Sequence, residues 1–288
     1  MKIYSFPKDK HNQDIQIECI KISSVDKLIY TETPFTTNFF EVVFITEGFG
    51  TLRINNIDYH FKKGCTFFLT PSKLRNVVSD PKQFEGYILL FEEQVIANFF
   101  HDSLFLYRFH FYYNNEYPPV MNIGETYDYK LILSILENMY NELQNLQSDS
   151  QHFLRAQLYY TLVHLNRLFK TFNHIEKNFF DNSKALQFKK LLENNVKELS
   201  KVMDYAELMG ISTATLNNIT KVAFGKHAGD VIKERRIAEA MKLILFSNMT
   251  FAEVAYHLNY SEPSNFSRNF KSVTGLTPDE FKKNNQSE

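Results

Sequence analysis

The sequence predicts an α+β protein: a β-sandwich or barrel, then two amphipathic helices, then an all-helical C-terminal part. Three features of the 288 residues carry this reading. Up to about residue 118, short β-branched and aromatic runs alternate with turn signals at a spacing of roughly 8–12 residues. From about Asp128, apolar residues recur at helical spacing. Residues 200–288 hold one helix–turn–helix pattern twice.

In the first part, residues 41–46 read as a strand, and Gly48-Phe49-Gly50 is expected to break it. Residues 51–54 follow, then the turn pair Asn55-Asn56, then residues 57–61. Lys63-Gly64 turns the chain before residues 66–69, and Pro71-Ser72 closes that run. Residues 83–91 supply a further strand. Phe44, Phe49, Phe61, Phe67 and Phe68 fall in this part, either as core or as the lining of an apolar pocket.

The two amphipathic helices are marked by Ile132, Ile135, Leu136, Met139, Leu143 and Leu146, and by Leu154, Leu158, Leu162, Leu165 and Phe169. The polar stretch Gln147-Ser148-Asp149-Ser150 separates them, so an antiparallel pair is expected. Both stripes either pack on the β part, or one also forms a dimer interface. The helices within 128–172 are the expected seat of a homodimer, with Ile132, Ile135, Met139 and Leu143 as its stripe. Residues 174–182 are polar and irregular. The expected organisation is therefore one domain over 1–172, a linker over 173–182, and a second domain over 183–288.

Each part of the repeat has a steric reason. Ala206 and Ala255 supply the small side chain that two steeply crossing helices need at their contact. Gly210 and Asn259, four residues on, suit a turn at positive φ. Ser212 and Ser261 stand where a hydroxyl caps the second helix. Leu216 and Ile219, or Phe266 and Phe270, anchor that helix inward. The alanine pair, the Gly210–Asn259 pair and the serine pair are each offset by 49 residues, whereas Lys221 and Lys271, and Gly225 and Gly275, are offset by 50. The second unit thus has one extra residue in or just after its turn. A long helix over 230–245 joins the units, and Thr277-Pro278-Asp279-Glu280 starts a last helix.

Composition bounds the rest. Hydrophobic residues at 44% and charged residues at 23% are ordinary for a globular chain. No apolar run is long enough to span a bilayer, and the first residues lack the apolar stretch of a signal peptide. Cys19 and Cys65 are too few for a disulfide framework, so a reducing, cytoplasmic setting is expected. The net charge of −1 does not by itself suggest a polyanionic partner. Its distribution does: residues 183–288 carry 15 Lys and Arg against 12 Asp and Glu, and residues 1–182 carry 17 against 21. Among the strands His60 stands far in sequence from Glu47, and no His-x-His occurs. No metal, cofactor or catalytic set is therefore expected.

Residues 183–283 resemble the DNA-binding domain of the AraC/XylS family of bacterial transcription regulators. The resemblance rests on residues 253–260, on Phe266-Ser267-Arg268-Asn269-Phe270-Lys271, and on Gly275-Leu276-Thr277-Pro278. Residues 1 to about 172 resemble the family's sensor, a cupin-like barrel followed by two helices, through Glu47-Gly48-Phe49-Gly50, Gly64 and Pro71. The chain departs from the family at Thr220 (usually Phe), at Asn259 (usually Gly) and at Arg75-Asn76, where the barrel commonly offers a His.

The resemblance implies a regulator, expected to be an activator, that binds double-stranded DNA and contacts RNA polymerase. Thr213, Ala214, Asn217 and Asn218 are expected to face the major groove from the first unit. Pro263, Ser264, Asn265 and Arg268 are expected to do so from the second. Lys221 and Lys271 are expected to meet phosphate. By position in the family pattern, Glu47, Arg75 and Asn76 are the candidate contacts of a small organic effector in the barrel. The competing readings are a barrel that serves as a protein-interaction module and a cupin enzyme fused to a DNA-binding domain.

Overall fold

The computed structural model describes residues 2–7, 15–25, 34–71, 73–95, 104–113, 117–175 and 183–286. It divides into two compact units, Met1–Lys177 and Asn178–Glu288. The expected linker begins where a helix ends at Phe172; its residues 176–182 lie outside the described residues.

Among the described residues the first unit holds nine strands: β1 Lys2–Tyr4, β2 Ile17–Lys21, β3 Phe35–Thr37, β4 Phe40–Ile54, β5 Ile57–Lys62, β6 Cys65–Leu69, β7 Arg75–Val77, β8 Phe84–Phe91 and β9 Val120–Asn122. β4 organises them. Its first half pairs antiparallel with β6 and β8, and these extend to β9 and β2. Its second half pairs antiparallel with β5 and β7, which continues through β3 to β1. One strand thus belongs to two sheets, and the sheets wrap around a cavity.

The glycines 48 and 50 do not break β4. It runs 15 residues through them, with a bulge between Ile45 and Glu47. Gly48 sits at φ 78°, where a Cβ would lie 1.9 Å from the Gln83 carbonyl oxygen. Glycine here lets two strands approach through the bulge rather than ending one of them.

Side chains alternate along a strand, so each strand has a cavity face and a helix face. Before the bulge, Glu41, Val43 and Ile45 face the cavity, while Phe40, Val42 and Phe44 join the core beneath the helices. The extra residue then reverses the parity, and Leu52 faces the cavity. β6 and β8 divide the same way. Phe67, Leu69, Ile88 and Leu90 line the cavity, while Phe68, Leu89 and Phe91 lie under the helices.

Those helices are α2 Tyr127–Gln144 and α3 Ser150–Phe172; a short α1, His110–Tyr113, precedes them. Glu142 accepts a hydrogen bond from Ser150 at one end, and Asp128 meets His164 at 2.9 Å at the other. The pair is therefore antiparallel. Ile132, Ile135, Met139 and Leu143 are buried in the unit's own core with Leu154, Leu158 and Leu162. This corrects the dimer stripe expected from sequence: the apolar face of α2 is consumed by the sheet and by α3.

The second unit is helical: α4 Ser183–Asn195, α5 Val202–Leu208, α6 Thr213–Phe224, α7 Ala228–Phe246, α8 Phe251–His257, α9 Pro263–Thr274 and α10 Pro278–Gln286. Two cores share α7. Ala228 and Ile232 pack with Phe188, Tyr205 and Leu216, whereas Ile237, Ala240 and Ile244 pack with Val254, Phe266 and Phe270. Arg235 on α7 bonds Glu193 on α4 at 2.7 Å, which also holds Lys189. Among the described residues no helix is long and apolar enough to cross a membrane. Nor do three or more His, Cys, Asp or Glu gather there as a metal site.

Candidate nucleic-acid interface and ligand cavity

The turns of the two repeats are built alike. Gly210 and Asn259 take φ of 63° and 56°. The following amides, Ile211 and Tyr260, donate back to Ala206 and Ala255, closing each short helix in the manner of a Schellman turn. Ala206 and Ala255 are buried at the helix contact. Ser212 caps α6 by accepting from Thr215 N at 3.1 Å. Ser261 does not cap α9. That helix starts one residue later, with Glu262 at its cap and Pro263 first, and the added residue accounts for the change of offset.

This geometry turns one face of α6 and one of α9 outward. On α6, Leu216, Ile219, Thr220 and Ala223 are buried, while Thr213, Ala214, Asn218 and Lys221 are exposed. Asn217 is half-buried, and its Oδ1 accepts from Ala228 N at 3.0 Å. Its acceptor therefore ties α6 to α7. On α9, Phe266 and Phe270 point inward, Ser264, Arg268 and Lys271 are exposed, and Pro263 and Asn265 are half-buried. Arg268 donates to Asn265 Oδ1, which holds the guanidinium along the outer face.

Sequence reasoning missed one residue of this region and half the role of another. Arg236 on α7 is buried, donates to the Leu258 carbonyl, and lies 4.0 Å from the centre of the Tyr260 ring. It thereby clamps the second turn. Asn259 was expected at the positive-φ turn, as it is found, but without a role for its side chain. Its side-chain amide donates to the Glu198 carbonyl, in the segment between α4 and α5. The hint in the sequence was the choice of Asn, the residue that tolerates positive φ and still carries a donor.

In the first unit the cavity measures about 110 Å³. Among the described residues its wall is apolar apart from Arg75, Glu41, Thr37 and the hydroxyl-bearing Tyr4. Arg75 donates through Nη2 to Glu41 and to Thr37 Oγ1, and through Nη1 to the Lys73 carbonyl at 3.2 Å. Both charges are buried, so burial pushes the Glu41 carboxyl up and the Arg75 guanidinium down, each opposed by the other's charge.

Of the three effector candidates only Arg75 lines this cavity. Glu47 lies just past the bulge, where odd positions have turned outward, and it is exposed. Asn76 follows Arg75 on a strand and must point to the opposite side. Of the five phenylalanines, Phe61 and Phe67 line the cavity; Phe44 and Phe68 lie under the helices, and Phe49 is 66% exposed. Glu41 was missed, although a carboxylate between Phe40 and Val42 is a sequence-level oddity. His60 sits on the surface, 2.9 Å from Thr51 Oγ1.

Comparison with known proteins is consistent with both halves. The profile described as an AraC-like ligand binding domain matches residues 30–162, and a helix-turn-helix domain profile matches residues 205–284. The chain belongs to the AraC/XylS family of transcription regulators. One family relative is the HTH-type transcriptional activator AarP of Providencia stuartii, 25% identical over 87 residues. That match takes in 30% of this chain and spans 64% of AarP. Among solved structures, ToxT from Vibrio cholerae is similar at 15% identity and TM-score 0.44, covering 93% of this chain and 97% of ToxT. An AraC-type regulator from Chromobacterium violaceum is similar at 22% identity and TM-score 0.33, covering 35% of this chain and 91% of its own.

Proposed function

We propose that this AraC/XylS-family protein is a sequence-specific DNA-binding transcription activator whose barrel cavity holds a small organic effector. The observation that carries the DNA reading is the pair of helix–turn–helix units built on one helix, each turning a polar helix face to solvent. Two recognition helices on one side of a duplex read half-sites about one turn, ~10 bp, apart. Arg268 suits guanine and Asn218 suits adenine, while Lys221 and Lys271 supply phosphate contacts. Arg268→Ala is expected to lose roughly 1–3 kcal/mol of discrimination between operator and mismatched DNA. Lys271→Ala is expected to weaken all sequences alike and flatten the salt dependence. Competitive binding titrations read both, and an unchanged discrimination ratio in Arg268→Ala overturns the base-contact assignment.

Activation is supported by the name of the relative AarP. Contact with RNA polymerase belongs to the same proposal. The effector reading is supported by the ligand-binding profile and by an open space inside the barrel. An effector changes transcription only if the DNA-competent and incompetent states hold it with different affinity. A homodimer through the helices of 128–172 also belongs to this proposal. With the stripe of α2 buried, it would use the outer side of α3, where Phe153 and Tyr160 are exposed. Thermal shift across a metabolite panel tests the effector, since a ligand at 100 times its Kd stabilises by about 2.7 kcal/mol.

A further inference from the structure

We infer that the barrel cavity is built for a small, neutral, largely apolar molecule bearing one hydrogen-bond acceptor, a carbonyl or ether oxygen, addressed to Arg75. The inference rests on the effector reading above and narrows it to a chemical class.

Size comes first. Engineered cavities of about 150 Å³ take benzene. A cavity of about 110 Å³ therefore suits a body of roughly one six-membered ring. The wall sets the polarity of that body. Val43, Ile45, Leu52, Phe67 and Ile88 offer no hydrogen bonds, so the hydroxyls that a sugar-like ligand set against them would be buried without a partner.

Charge and donor count then set the head group. Among the described residues, the charged ones lining the cavity are Arg75 and Glu41, and they offset one another. A carboxylate or an ammonium added beside them would be an unbalanced buried charge, which costs several kcal/mol. A neutral head avoids that cost. Of the side-chain polar atoms of Arg75, Glu41 and Thr37, one buried donor is left over among the described residues. Arg75 Nη1 and Nη2 are bonded, and Thr37 Oγ1 donates to the Phe39 carbonyl at 3.0 Å. Arg75 Nε is buried and finds no hydrogen-bond partner among the described residues. A ligand oxygen would satisfy that donor, whereas a ligand N–H would leave it unsatisfied.

The test uses the full-length protein and three probes of similar bulk. Cyclohexanone carries the carbonyl. Methylenecyclohexane has the same shape without the oxygen. Benzoate carries a charge. Dissociation constants come from NMR titration. The expected result is cyclohexanone binding at least about tenfold tighter than methylenecyclohexane, as for a hydrogen bond to a charged donor, with benzoate weaker than cyclohexanone. In the double variant Arg75→Met, Glu41→Leu, which removes both charges together, the two neutral probes are expected to bind alike. Equal affinity of the two neutral probes for the wild-type protein overturns the proposal, as does benzoate matching cyclohexanone. Xenon, followed by its own NMR shift and displaced by methylenecyclohexane, separates the two levels. Xenon entry without ketone preference overturns the class alone. No xenon entry overturns the effector reading with it.

Discussion

Arg75 and Glu41 occupy a wall that is otherwise largely hydrocarbon, and each depends on the other. Removing one partner of a buried pair strands the second charge, so Arg75→Met is expected to lose about 3–5 kcal/mol of stability in a urea titration. The double variant Arg75→Met, Glu41→Leu is expected to recover most of that loss, and a double variant as unstable as the single one would show that the pair is not coupled. His110 offers a second residue-scale prediction. It is 2% exposed, and burial, with a smaller contribution from Lys170, pushes its pKa from 6.5 down to about 4. The fold therefore holds the neutral imidazole. Below pH 6.5 the unfolded chain takes up a proton that the folded unit refuses until about pH 4. The contribution of His110 is full above pH 6.5, shrinks as pH falls to about 4, and is worth roughly 1–3 kcal/mol across that window. His110→Gln should remove this slope, read as the difference between the two stability–pH curves. Legibility was uneven at this scale. Arg75 was reached through a family position, but the alternation that puts Glu41 inside and Glu47 outside depends on a one-residue bulge that the run Ile45-Thr46-Glu47-Gly48 does not announce.

Among the elements, helices were the more legible. Their apolar period is long, and their ends carry explicit signals: Thr250 with Glu253 and Thr277 with Glu280 form reciprocal caps. Strands were less so. Three-residue pieces such as β1, β3, β7 and β9 are too short to show a period, and they form by pairing onto edges already present: β7 on β4, β3 on β7, β1 on β3 and β9 on β6. The stripe on α2 was seen correctly as apolar but could not say against what it packs. Met139 is fully buried in the first unit's core. Met139→Asp is accordingly expected to unfold that unit, because an unpaired buried charge costs more than about 4 kcal/mol. Circular dichroism and sedimentation together decide this: a folded monomer would return the stripe to the role of an interface.

For the C-terminal unit as a whole, the duplicated pattern was legible because glycine, alanine and lysine recur at fixed offsets. The long helix between the copies was legible too, but the strut between the second turn and the segment leading into the first copy was not. The hydrogen bond from Asn259 to the Glu198 carbonyl runs from the second turn to the segment before α5, 61 residues apart in sequence. Asn259→Gly keeps the positive φ and deletes the strut. It is expected to leave the unit folded and to cost on the order of 1 kcal/mol in preference for correctly spaced half-sites. Affinities for operators with half-sites one base pair closer or farther should thus approach that for the optimum. An unaltered spacing profile would assign the side chain to local turn stability alone.

The two cores meet on α7 without a break in the helix. Ala228 and Ile232 serve one reader, Ile237 and Ile244 the other, and the turns between are continuous. An α-helix advances about 1.5 Å and rotates about 100° per residue. The length of α7 is therefore a phase setting as much as a distance. One residue inserted between Glu234 and Arg235 would barely lengthen the unit, yet it would swing the second recognition face about a quarter-turn away from the groove that the first one occupies.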